Sequence, residues 1–185
     1  MKSILISLLL ASSFLVKDGV TVSGVKYAAT YQVENNTLNL NGAGVRSKWF
    51  IDLYTTGLYL PSVSKNASEI VSCNCNQVIK IVIVSSLITT EKFNAAIDEA
   101  LNKSMNNDLS SISKDLEKFK KALGTDLKSN DEFLFIYQPA LGLKVFKNKK
   151  YKDTVKGLRF KQELLKIWLG EKCVNEDLKK GLLGT

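Results

Sequence analysis

Arg46 and Arg159 are the only arginines among 26 basic residues, and the chain contains no histidine. A Ser-His-Asp triad, a Cys-His pair, a His-bearing zinc site and a histidine pH switch are thereby excluded. Charge chemistry falls to carboxylates, tyrosines, lysines and the two guanidinium groups. Arg46 follows the glycine-rich Asn41-Gly42-Ala43-Gly44, and Tyr54-Thr55-Thr56-Gly57 stands a few residues further on. A guanidinium is always charged and presents forked donors that suit an oxyanion or a carboxylate, and a phenol adds a second donor. A structural role is the alternative for each: Arg46 paired with Asp52, and Tyr54 in a core with its hydroxyl satisfied at the edge. Thr55 and Thr56 suit a strand, and alternation alone leaves open which of them lines a cleft. Three cysteines, Cys73, Cys75 and Cys173, leave at least one thiol over. A bridge across Cys73-Asn74-Cys75 is geometrically strained and a bridge from either to Cys173 stays open, while incidental cysteines in a polar turn are the favoured reading. Three cysteines without histidine make an incomplete metal set, and no metal or cofactor is expected.

The elements that must position these groups follow from hydrophobic period. Tyr31–Glu34 and Thr37–Asn41 alternate around Asn35-Asn36, a strand-turn-strand signal. Asn41–Gly44 reads as a turn. Lys48–Leu60 is a long aromatic and β-branched run stopped by Pro61. Residues 64–71 suit a short helix. Val78–Val84 is apolar on both sides, which predicts a central buried strand. From Thr90, the residues Phe93, Ala96, Ile97, Ala100 and Leu101 share one helical face. Leu109, Ile112, Leu116, Phe119 and Leu123 mark a second helix, with Gly124 where a C-terminal cap belongs. Asp131–Tyr137 and Gly142–Phe146 return to strand. Leu158–Leu169 predicts a helix ending at Gly170, and Asn175 caps a last one over Glu176–Leu183. Strands followed by helices, twice over, predict an α+β fold: an antiparallel sheet with helices on one face.

Compartment and charge add two expectations. Lys2 followed by an uncharged apolar run to Val16 has the order of a secretory signal peptide, too short to span a bilayer comfortably. Residues 1–25 are expected to be that leader, 28–185 the folded domain, and the location periplasmic or secreted. The net charge is +8, and residues 144–172 hold ten basic residues against three acidic ones. An export signal, lysine in place of arginine and the lack of an aromatic platform motif argue against nucleic acid. The window reads as a solvated lysine face, with an anionic membrane surface as its functional version.

Asn41-Gly-Ala-Gly-Val-Arg46 followed by Tyr54-Thr-Thr-Gly-Leu-Tyr-Leu-Pro61 resembles the chalcone isomerase-like family. Lys166–Lys172 and Asp177–Gly184 extend the likeness, which covers nearly everything from about residue 28 onward and is closest to the bacterial, secreted branch. The resemblance implies an open-faced antiparallel β-sheet backed by a layer of helices, with a ligand cleft between them. In the plant enzymes of the family, the arginine matching Arg46 stabilises an enolate during ring closure. Their catalytic threonine falls at Tyr54, and their tyrosine and asparagine fall at Phe93 and Ala100; a last hydroxyl matches Thr154 loosely. A phenyl and a methyl cannot make those hydrogen bonds. The non-catalytic fatty-acid-binding branch carries Tyr-x-x-Gly at this place, as Tyr54–Gly57 does. The expected function is therefore binding of a fatty acid or similar apolar carboxylate, with Arg46 and Tyr54 as grip and Thr55, Phe93 and Ala100 as lining. The alternative is an isomerase (intramolecular lyase) acting on an enone or phenolic substrate, with Arg46 as the catalytic group.

Overall fold

The computed structural model describes residues 18–185, so most of the expected leader lies outside the described residues. An N-terminal hairpin, β1 (Val20–Val22) and β2 (Val25–Tyr27), precedes a seven-stranded sheet. That sheet comprises β3 (Thr30–Val33), β4 (Asn36–Lys48), β5 (Ile51–Leu60), β6 (Gln77–Ile83), β7 (Glu132–Gln138), β8 (Gly142–Lys147) and β9 (Lys150–Val155). The strands lie in chain order and every neighbouring pair is antiparallel. Among the described residues, five α-helices are interspersed: α1 (Ala67–Ser72), α2 (Thr90–Ser104), α3 (Ser113–Leu123), α4 (Leu158–Leu169) and α5 (Glu176–Leu183). The expected α+β architecture is the one observed. No helix among the described residues is long and apolar enough to cross a membrane.

Strand alternation divides the apolar residues between two faces. Tyr54, Leu58 and Leu60 of β5, Ile79, Ile81 and Ile83 of β6, and Phe133, Phe135 and Tyr137 of β7 join the helices in the main core. Tyr59, Val78 and Leu134 point the other way, into a smaller cluster with Tyr27, Val33 and Leu38. The sheet is thus not bare on its far side. The Tyr27 hydroxyl donates to Thr55 Oγ1 at 2.8 Å, which fastens the N-terminal hairpin across that face. β6 is the middle strand, buried on both sides as its uninterrupted apolar run predicts.

Asn41–Gly44 is not a turn but the interior of β4. Pairing steps from Leu40↔Tyr59 to Gly42↔Leu58, so Asn41 is the additional residue of a β-bulge. Its side chain donates to the Leu182 carbonyl and accepts from the Ser64 amide, both at 2.7 Å. The glycines serve a close approach: a Cβ on Gly42 would collide with the Gly181 carbonyl oxygen of α5. The turn falls instead at Trp49 and Phe50, which take left-handed backbone angles of φ 50° and 66°. β9 carries no apolar alternation that would announce it; it is an edge strand whose Lys150, Tyr151 and Lys152 are exposed.

Two further expectations are corrected. Cys73 and Cys75 form a disulfide and Cys173 is free. The loop that carries the bridge is held from both sides: Tyr137 donates to Asn74, and the Lys161 ammonium donates to the carbonyls of Val71 and Cys73. Nor do residues 144–172 form one solvated lysine face. Lys147 and Lys161 are buried, because β8 and α4 turn them inward toward acceptors. Lys147 lies 3.1 Å from both Asp126 and Asp131.

Candidate functional site

The bulged stretch of β4 and the start of β5 place the two sequence-predicted polar groups side by side. Arg46 is the register partner of Tyr54, so their side chains rise from the same face of the sheet. One residue later the pairing slips again, from Arg46↔Tyr54 to Ser47↔Asp52, leaving Leu53 as a bulge in β5. Leu53 uses the resulting kink to accept from the amides of Val84 and Ser85 through its carbonyl.

Arg46 donates to the carbonyl of Ser47 at 2.8 Å and has no carboxylate within ion-pairing distance among the described residues. Asp52, the partner considered for it, instead accepts the hydroxyls of Ser23 and Ser47 at 2.6 and 2.7 Å. Arg159 differs: it pairs at 3.2 Å with the buried Glu163, which Lys166 also contacts. Of the two arginines, Arg46 keeps its forked donors available.

Tyr54 is buried, and its oxygen accepts from Trp168 Nε1 at 3.1 Å. Burial pushes its pKa up, against the opposing effects of that hydrogen bond and of the Arg46 charge. The phenol is neutral at ordinary pH and retains a proton to donate. Phe93 meets Tyr54 edge-on with ring centroids 6.0 Å apart, and stacks on Phe133 at 6.1 Å.

These groups border a cavity of about 560 Å³, within the range of small-molecule sites. Arg46, Tyr54, Phe93 and Ala100 all line it. Thr55 does not, because alternation turns it to the far face, where it holds Tyr27. Thr56 is buried on the helix side but outside the cavity wall, with its hydroxyl unpartnered. Thr154 lies on the edge strand β9, bonded to Tyr151, and takes no part.

The space exists because α2 carries Ala95, Ala96 and Ala100 where larger side chains would close it. Residues that sequence reasoning missed form the mouth: Lys48 and Trp49 from the β4–β5 turn, Lys92 and Lys103 from α2, and Lys172 and Cys173 from the segment after α4. Five cations thus border the cavity, against one carboxylate, Glu99. The small residues on the α2 stripe were the one legible hint of a void. Nothing local announces the lysines, which come from three distant segments.

The sequence model of the chalcone isomerase-like family matches residues 19–184. The chain belongs to the chalcone isomerase-like family. No curated protein sequence matches it significantly. Among solved structures, the crystal structure of the Arabidopsis thaliana fatty-acid binding protein AtFAP1 is similar, with a TM-score of 0.67 at 17% identity, over 86% of this chain and 92% of that one. At that identity the likeness establishes the chalcone isomerase-like fold. Arg46 opens on the cavity of this fold, and Phe93 and Ala100 form part of its apolar wall.

Proposed function

We propose that this chalcone isomerase-like protein binds a fatty acid or a similar apolar carboxylate, with the carboxylate on Arg46 and the Tyr54 hydroxyl and the chain along the α2 wall. The observation that carries this reading is a guanidinium without an ion-pair partner among the described residues, beside a neutral buried phenol, in a cavity whose buried wall includes Ile88, Phe93 and Ala100. A charge-assisted bond is the stronger kind, and each buried methylene adds about 0.8 kcal/mol before the cost of ordering the chain. Four rim lysines add to Arg46 in favouring an anionic ligand over a neutral one. The solved fatty-acid binding protein of the same fold supports this ligand class. The isomerase alternative needs hydrogen-bonding groups around the arginine where Phe93 and Ala100 stand. The apolar leader-like start further suggests that the protein works in the periplasm or outside the cell; N-terminal sequencing of the mature protein from fractionated cells checks that placement.

The decisive experiment is gentle purification followed by native mass spectrometry and lipid extraction, with calorimetric titration of a soluble fatty acid. Saturable binding is expected, and Arg46→Ala should weaken it roughly ten- to a hundred-fold, the equivalent of one lost charge-assisted hydrogen bond. Absence of both co-purifying acyl species and saturable binding sinks the reading. Cyclisation of a hydroxychalcone above background, lost in Arg46→Ala, would favour the isomerase instead.

A further inference from the structure

The tip of the β4–β5 hairpin is made of residues that the fold itself does not use. Trp49 is 82% exposed and Phe50 fully exposed, and Ile51 beside them is also exposed. Both aromatics occupy left-handed backbone positions that bulky residues rarely adopt, in a two-residue turn where Asn-Gly would fit without strain. Neither aromatic repays that strain with burial. Leu87, more than half exposed, stands on the loop across the cavity mouth. The apolar tip is ringed by positive charge: Lys48, whose ammonium lies 5.0 Å from the Trp49 ring centre, and Lys92, Lys103 and Lys172 around the opening. None of these lysines forms an ion pair among the described residues.

We infer that this end of the molecule docks on an anionic lipid bilayer, with Trp49 and Phe50 inserted at the level of the headgroups and the lysines against lipid phosphates. Tryptophan and phenylalanine flanked by lysine are the residue types that favour this interface. The charge complementarity selects a bilayer over a second copy of the chain, because two such rims would repel one another. Trp49, Ile51 and Leu87 also line the cavity, so docking sets its mouth against the acyl layer. The inference rests on the proposed acyl ligand for its purpose, since the ligand then passes between bilayer and cavity without crossing water.

Flotation with vesicles of phosphatidylcholine alone, and of phosphatidylcholine mixed with phosphatidylglycerol, tests it. The purified protein should float with the mixed vesicles, less with phosphatidylcholine alone, and less again as salt rises. Phe50 does not line the cavity, so Phe50→Ser should lower vesicle partition roughly ten- to a hundred-fold while leaving titration with a soluble fatty acid unchanged. No flotation with either vesicle overturns the docking even if soluble fatty acid binds. So does wild-type partition by Phe50→Ser, or concentration-dependent self-association that buries Trp49 in place of vesicle binding. Vesicle binding without any fatty-acid binding leaves the docking standing and removes the ligand reading alone.

Discussion

Tyr54 accepts from Trp168 through its oxygen and keeps its proton for the cavity, so replacing it with phenylalanine affects two things at once. Tyr54→Phe should cost about 1–3 kcal/mol of stability, because the buried indole N–H loses its acceptor. Urea denaturation measures that cost, and the titration used for Arg46 measures the separate loss of ligand affinity. Lys161 makes a different prediction. Burial lowers its pKa from 10.5 to about 8, so over that interval the folded chain has released a proton that the unfolded chain still holds. Stability should therefore rise as pH increases from about 8 toward 10. It should fall again above the ordinary tyrosine value of 10.0, because burial pushes Tyr59 up to about 12 and raises Tyr27 as well, so that only the unfolded chain loses those protons. Denaturation midpoints across this range check the shape, and Lys161→Met should flatten the rising limb.

Among the elements, α5 and β4 approach closely enough that glycine is required on the strand. Gly42→Ala drives a methyl group into the Gly181 carbonyl, and an overpacking penalty of roughly 1–3 kcal/mol is expected by urea denaturation. An unchanged midpoint would mean that α5 can lift away at no cost. This case also shows how local signals mislead. Asn-Gly is the strongest short-range hairpin signal, yet here Asn41 is a bulge residue whose side chain joins α5 to the loop at Ser64. The elements that were legible, such as α4, α5 and β6, are those whose apolar period is long and whose ends carry Gly170, Asn175 or a polar flank. β9 was not, since an edge strand contributes one buried residue, Val155, and hides among lysines.

The whole molecule combines a cavity on the helix side of the sheet with a single free thiol at its wall. Cys173 lines the cavity and is only partly exposed, while Cys73 and Cys75 are bonded to each other. Burial and the nearby Glu176 carboxylate raise its pKa, so alkylation should be slow at neutral pH and quicken as pH rises. A bound acyl chain should then protect it. Mass spectrometry of the alkylated protein, with and without soluble fatty acid, is expected to show slower modification in the presence of ligand. Equal rates would place the ligand elsewhere.

The amino-acid sequence alone determined the order of strands and helices over most of the chain, the exclusion of histidine chemistry, and Arg46 and Tyr54 as the polar pair to watch. Those properties depend on residue type and local period, which a chain carries with it. Tertiary structure decided which face each strand residue takes, because the bulges at Asn41 and Leu53 shift the alternation and only packing against the helices says which side is the core. It sent Thr55 away from the cavity, buried Lys147 and Lys161, and left Trp49 in solvent. It also gathered Lys48, Lys92, Lys103 and Lys172 from three segments into one cationic rim. A charge has no period that reveals its partners, so that rim exists only once the chain has folded.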